Sequence, residues 1–507
     1  MYSKIKSAVL NGLIGNKIDV ECDLSKGQIL FNIVGLPDAS IRESKERVRT
    51  AIKNSNLSFP MNRITINLAP ANIKKEGSHT DLAIAISILE ACGDVKNNDI
   101  EDYIFLGELS LDGSINYING ALPMVLSMYD MGYKKFIVPY DNKDECAILN
   151  DINVIPVKNL IQVVDFLNGN ETISPYFSEI SQANYQCYDV DFSDIKGQYA
   201  LKRALEISAA GNHNILIIGP PGAGKTMAAR RLPTILPDLT LEESIEITKI
   251  YSISGLTKEK GLIKTRPFRS PHHTSSMVSL IGGGSYPKPG EVSLSHNGVL
   301  FLDELPEFQR QTLEVLRQPI EDGVVSISRI NSQVEYPANF LFIASMNPCP
   351  CGYYGDPTHE CTCTASQIDR YLSKISNPLL DRIDIHIEVS AVKYDDLKSD
   401  ETSESSDIIR QRVNAARKMQ IDRYKEYGIT NNSQLSASQI KKFISLDSQS
   451  KNILDIAYNK YNFSARAYNK ILKLSRTIAD LDNKVEIESK HLLEALRYRS
   501  FDSKYFK

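Results

Sequence analysis

The sequence predicts an α/β protein built in three parts. Three observations lead there. Strand-like and helix-like runs alternate through residues 1–170. A second α/β stretch, residues 191–390, is organised around an apolar run that passes into a glycine-rich loop and then a helical segment. The remainder, 391–507, is helical.

In the first part "QILFNIVGL", "RITINLAP", "DYIFLGELSL" and "KKFIVPY" read as strands. "DASIRESKERVRTAIKNS" reads as a helix, with Ser40 and Glu43 at capping-box spacing. "HTDLAIAISILEAC" reads as a second, mostly buried helix, and together these make an α+β domain over 1–170. Residues 171–190 show no clear period and read as a linker. Within 391–507, "KYDDLKSDETSESSD" (393–407) is an acidic, serine-rich connector. Further on, Ala467, Ile471, Leu474, Ile478 and Leu481 form one apolar stripe at steps of four and three. Ser464 is its expected N-cap, which puts Arg466 in the first turn. There are no tandem repeats.

At 507 residues, with 42% hydrophobic and 24% charged residues, the chain has the composition of an ordinary soluble globular protein of two to four domains. The best membrane candidate, Leu82 to Ala91, is too short and carries Glu90. The N-terminal stretch lacks an apolar core ahead of a cleavage site, so no signal peptide is expected. Eight cysteines in a chain of this length are no disulfide scaffold, and a reducing, cytoplasmic setting is expected. A net charge of −4 gives no global attraction to nucleic acid; such binding would need a local basic surface, as in a ring or channel.

"NILIIGPPGAGKT" carries the strongest chemical signal. An apolar strand meets Gly219, Pro220, Pro221, Gly222, Ala223, Gly224, Lys225 and Thr226, and a helical segment follows. Such a loop lets backbone N–H groups converge on phosphate oxygens, with the lysine supplying charge and the threonine a Mg²⁺ ligand. "GVLFLDEL" offers the partners: Asp303 to hold Mg²⁺ and Glu304 to polarise an attacking water. Asn347, at the end of "NFLFIASMNP", can orient that water. Arg382 lies between Asp381 and Asp384; it is either a structural ion pair with one of them or an arginine finger reaching a neighbouring subunit's nucleotide. Arg466 is a candidate second sensor or a solvated helix-end arginine. ATP and Mg²⁺ are the cofactors these motifs require.

In this order the parts resemble an AAA+ ATPase. Two insertions, "RPFRSPHHTSSMVSLIGGGSYPKPGEVSLSHNG" and the hairpin-like "GVVSISRINSQVEYPANF", resemble those of the helix-2-insert clade, which includes magnesium chelatase subunits and MCM helicases. "PFRSPHHTSS", "GEVSLSHNGVLFLDELPEF" and "NPCPCGYYGD" are similar to the YifB/ComM family of magnesium chelatase-like proteins. The resemblance spans essentially the whole chain. It implies a Lon-protease-like N-terminal α+β domain, an AAA+ P-loop core and a C-terminal helical lid. It further implies a hexameric DNA motor of the helicase or branch-migration type. Single-stranded or branched DNA would be its partner, in recombination or natural transformation, with no membrane involved. Arg329 and Lys288 would be DNA contacts facing the pore, Arg329 otherwise being a solvated hairpin tip. Arg266, Arg269, His272 and His273 cluster among prolines that can equally make a rigid turn.

Two other functions compete: a chelatase-type ATPase that remodels a protein partner, and an ATP-dependent protease. The Lon-like segment "KKEGSHTDL" has His79 where the nucleophile would stand and Ser78 one place early; Leu122 falls near the place of the lysine. The domain therefore reads as non-proteolytic. Finally, "NPCPCGYYGDPTHECTC" holds Cys349, Cys351, Cys361 and Cys363. Two C-x-C pairs can close a tetrahedral structural Zn²⁺ site, with His359 able to replace one thiol; free thiols or a transient disulfide are the alternatives.

Overall fold

The computed structural model describes all residues except 98, 179–187, 258–260, 285–286, 330–331, 358, 392–403, 462, 500–504 and 506–507. Parts of the expected linker, of the acidic connector and of the hairpin turn lie outside the described residues. The chain divides into two compact units: Met1–Tyr185 with Leu241–Lys264, and Gln186–Thr240 with Thr265–Lys507.

The first unit is built on a seven-stranded mixed sheet in the order Leu30–Val34, Arg63–Ala69, Ile14–Ser25, Tyr2–Asn11, Tyr103–Phe105, Lys135–Pro139, Asn153–Val157. Its longest ladder is an antiparallel hairpin at the N-terminus, paired from Tyr2↔Asp23 to Asn11↔Ile14. Reading only the strand-rich runs misses this hairpin. The missed signal is Asn11-Gly12 between alternating segments, with Gly12 at φ 61° in the turn.

The helix Ala39–Asn54 forms as expected, but its cap is Asp38 and not Ser40. Asp38 accepts from Ile41 N–H at 2.8 Å through one oxygen and from Gly77 N–H at 3.2 Å through the other. The carboxylate thus caps the helix and ties it to a distant loop, and sequence spacing shows nothing of that second bond. The helix Asp81–Cys92 is buried along nearly its whole length.

Residues 241–264 leave the surrounding α/β stretch and pack here. Ile245 and Leu262 cover Leu122, Leu126 and Ile148. Gly120 N–H donates to Ser252 O at 3.0 Å, and the Tyr117 and Thr257 hydroxyls meet at 2.8 Å.

The second unit holds a five-stranded, all-parallel sheet in the order Phe268–Arg269, Val299–Leu302, Leu341–Met346, Ile215–Ile218, Ile385–Glu388. Its inner strands are wholly apolar over Ile215–Ile218 and Val299–Leu302, as a parallel sheet covered on both faces requires. The expected hairpin is present as Val324–Arg329 against Ser332–Pro337. The C-terminal helices share one apolar core with this sheet. In Ala465–Leu481 the Ser464 hydroxyl accepts from Ala467 N–H at 3.2 Å, and the stripe from Ala467 to Leu481 is buried, both as expected. Among the described residues no helix is long and apolar enough to cross a membrane.

In the first unit His79 is half-buried, and its Nε2 is shielded from solvent with no hydrogen-bond partner among the described residues. Desolvation pushes the imidazole pKa down from 6.5 to about 4, against an opposing hydrogen bond with the Ala8 backbone. The unfolded chain takes up this proton at higher pH than the folded unit does. Stability therefore falls as pH drops from 6.5 toward 4. Thermal unfolding followed across that interval should show the loss, and His79→Gln should flatten it. An unchanged slope in the variant would place the titrating group elsewhere.

Candidate functional site

The strand Ile215–Ile218 pairs on one side with Leu341–Met346 and on the other with Ile385–Glu388. Beyond the carboxyl end of such a strand, where its neighbours lead into separate connections, a parallel sheet leaves a crevice. The glycine loop begins there. Gly224 has φ 80° and delivers the chain into the helix Lys225–Arg231. Lys225 is buried, and its Nζ donates to Gly219 O at 2.7 Å, Pro220 O at 2.9 Å and Asn347 Oδ1 at 3.1 Å. Burial pushes its pKa down, opposed by Asp303 and Glu304.

The next residue, Thr226, donates its hydroxyl to Asp303 Oδ2 at 2.6 Å. Asp303 Oδ1 accepts from Glu304 N–H at 3.0 Å and from the Ser345 hydroxyl. Lys225, Thr226, Asp303 and Asn347 thus converge from three adjacent strands. Ser345 was not foreseen; its signal was a lone hydroxyl in the otherwise apolar run Leu341–Met346.

Glu304 stands slightly apart. Its backbone is left-handed at φ 54°, a conformation that costs a non-glycine residue about 1 kcal/mol or more and marks a constrained position. Its half-exposed carboxylate lies 3.7 Å from His273 Nδ1. His273 lies tilted against His272, with ring centroids 4.0 Å apart, and meets Phe308 edge-on. Within the same cluster Arg266 donates to the carbonyls of Pro237, Asp238 and Asn297, and Arg269 pairs with Glu291 at 2.6 and 2.7 Å. Those two arginines brace a turn.

Arg382 and Arg466 do not join this group. Asn214, which precedes Ile215, donates to Arg382 O at 3.1 Å, so Arg382 lies at the amino edge of the sheet. One strand length, roughly 13 Å, separates that edge from the glycine loop. The expected structural partners of Arg382, Asp381 and Asp384, are not the ones it takes. Its guanidinium pairs with Glu321 and donates to Pro378 O at 2.6 Å and Arg317 O at 3.1 Å. Arg466 lies 3.8 Å from the same Glu321. Both line an open cavity of about 620 Å³, together with Asn214, Lys470 and Lys473. Asp384 instead pairs with Lys470 at 2.8 Å and His213 at 3.4 Å. Desolvation opposes its charge, but Lys470 and His213 outweigh this and hold the carboxyl well below the usual carboxylate range.

The four cysteines come together. Cys349 Sγ lies 3.3 Å from Cys351 Sγ and 3.7 Å from Cys361 Sγ, Cys351 and Cys361 are 3.6 Å apart, and all four sulfurs fall within 4.8 Å of one another. None is in a disulfide. His359 is not among them; it stacks on Tyr353 with ring centroids 4.8 Å apart. This donor set can hold a metal ion.

Lys288 is exposed on a two-residue strand paired with Gly282–Gly283. Arg329 ends the strand Val324–Arg329, and its side chain lies outside what the structure describes. In the first unit Ser78 donates to Glu108, the buried Lys75 donates to Pro70 O, and Leu122 is fully buried.

The parallel-sheet core with its C-terminal helices is consistent with a magnesium chelatase-like AAA+ fold. The family described as magnesium chelatase, subunit ChlI, matches residues 191–397; subunit ChlI of Mg-chelatase matches 20–142; and the ChlI C-terminal family matches 403–499. Competence protein ComM of Haemophilus influenzae is 42% identical over 505 residues, covering 99% of this chain and 97% of its own. YifB of Escherichia coli is 41% identical, covering 97% and 96%. The magnesium-chelatase 38 kDa subunit of Rhodobacter capsulatus is 23% identical over 31% of this chain and 50% of its own. The chain belongs to the YifB/ComM family.

Asp384→Asn removes the charge that Lys470 and His213 share. It should lower the stability of the second unit by about 3 kcal/mol in chemical denaturation, the usual cost of breaking a buried pair. A shift under about 1 kcal/mol would show that the pair is solvated.

Proposed function

We propose that this protein is an ATP-hydrolysing motor whose turnover moves DNA, with ATP and Mg²⁺ as cofactors. The observation that carries the ATPase reading is the convergence of Lys225, Thr226, Asp303 and Asn347 beyond Ile218. Loop N–H groups and Lys225 would take the phosphates, and Thr226 and Asp303 would hold Mg²⁺, which supplies charge neutralisation to the transferring phosphoryl group. Glu304 would polarise the water and Asn347 would orient it.

Arg382 cannot serve its own loop from the opposite sheet edge, so it is read as acting on a neighbouring subunit, with Arg466 beside it. That reading requires a homo-oligomer, for which the family resemblance suggests a hexamer. The same resemblance suggests the helix-2-insert clade and a Lon-like first domain, and the cysteine usage suggests a reducing, cytoplasmic setting. The hydrogen bonds of Ser78 and Lys75 favour a non-proteolytic first unit, since neither activates the other.

The DNA reading rests on the family and on the printed name of its competence relative. Exposed Lys288 on one insert and the hairpin ending at Arg329 are the surfaces it would use. Remodelling of a protein partner, as in chelatase-type ATPases, is the second reading, favoured by the ChlI matches along the chain.

ATPase activity measured alone, with single-stranded or branched DNA, and with casein separates these readings. DNA should stimulate turnover, and progressively less so as salt rises. Indifference to every DNA across the salt series would remove the motor reading. Glu304→Gln should bind ATP but not turn over; normal hydrolysis would overturn the site assignment. Arg382→Ala should bind ATP yet lose about 10³-fold in kcat. Mixing it with Glu304→Gln should restore activity, because each supplies what the other lacks. No recovery on mixing would argue against action between subunits.

A further inference from the structure

We propose that Cys349, Cys351, Cys361 and Cys363 hold one Zn²⁺ and that this ion braces the phosphate loop, so that nucleotide affinity depends on its presence. This rests on the reading of that loop as the ATP site.

Four thiolates at Zn–S bonds of about 2.3 Å around a tetrahedral ion stand about 3.8 Å apart. The separations of 3.3, 3.6 and 3.7 Å approach that value and lie far above the ~2.05 Å of a disulfide bond. Cys349 is buried and the other three are half-buried, so the set is shielded without being sealed off. The backbone also supports sulfur charge: Cys351 N–H donates to Cys363 Sγ at 3.4 Å. Such donation stabilises thiolates around a cation and fixes the approach of the chain. With four sulfurs engaged no coordination position stays open, and the ion is structural.

Two contacts join the cysteine-bearing stretch to the phosphate loop, and a third closes the stretch on itself. Gly352 follows Cys351 directly and has φ 90°; a Cβ there would stand 2.6 Å from Pro221 Cδ and 2.9 Å from Pro221 Cγ. The cluster backbone therefore lies against the loop at its second proline. Asn347, two residues before Cys349, accepts from Lys225 Nζ at 3.1 Å. After Cys363, Thr364 caps the helix Ala365–Leu372, which returns Tyr371 to a hydrogen bond with the Asn347 backbone. The stretch between Asn347 and Tyr371 is thus a closed loop pressed on the phosphate site. Apart from its short C-terminal helix its described residues form no regular secondary structure, and the ion is what gives it a defined shape.

The test uses the full-length chain. Elemental analysis should find one zinc per chain. Binding of a fluorescent ATP analogue in excess Mg²⁺ should weaken about tenfold or more once a chelator has stripped the zinc. Zn²⁺, and not further Mg²⁺, should restore it. Cys361→Ser/Cys363→Ser should lose both zinc and affinity. Gly352→Ala should keep its zinc and still lose affinity, because its Cβ displaces Pro221. Absence of zinc, with none taken up on addition, would overturn the metal site. Zinc present but wild-type affinity in both the stripped protein and Gly352→Ala would overturn the brace. Lys225→Ala separates these failures from a misread ATP site: retained affinity there would mean that the analogue binds elsewhere.

Discussion

Everything chemical in the second unit depends on the two-sided pairing of Ile215–Ile218. Its four residues are almost completely buried and hydrogen-bond in parallel to strands on both sides. Because both neighbours run the same way, all three carboxyl ends finish together. The glycine loop, Asn347 and, one strand further, Asp303 are therefore delivered to one crevice. A single antiparallel strand at this position would send one of those groups to the far edge.

The same register gives the sheet two chemically distinct edges. At the carboxyl edge a lysine is surrounded by carbonyl and amide oxygens, and a hydroxyl–carboxylate pair stands ready for a cation. At the amino edge Arg382 and Arg466 share Glu321, while Asp384 is occupied by Lys470 and His213. With the glycine loop on one edge and the arginines on the other, the chain has the geometry that the proposed action of Arg382 on a neighbouring subunit requires. The four cysteines sit between Asn347 and Arg382 in sequence, while Gly352, next to Cys351, lies against Pro221 of the phosphate loop in space. They are placed to support the site without entering its chemistry.

The readable features were those whose partners lie at fixed local spacing. The glycine loop is a loop wherever it occurs after an apolar strand. Ser464 caps because Ala467 N–H is three residues away, and the stripe from Ala467 to Leu481 is buried because helical period puts it on one face. The illegible features involve competition between partners. Ser40 and Glu43 had good local spacing, but Asp38 won the cap because it also reaches Gly77. Arg382 had two adjacent acids, but Glu321, 61 residues away, took it. The excursion of 241–264 into the first unit rests on Ile245 and Leu262 packing against Leu122, Leu126 and Ile148, far earlier in the chain.

The sequence by itself determined most of the element types outside the N-terminal hairpin, the glycine loop with its acidic partners, the thiol set and the family. These follow from patterns that each segment carries within a few residues. Only the tertiary structure decided that the four sulfurs converge, that Ser345 supports Asp303, that Glu304 faces His273 and that the two arginines meet at the far sheet edge. Those contacts join residues whose separation along the chain places no limit on their separation in space. Strand order and register set that limit, and both emerge only when the whole sheet assembles.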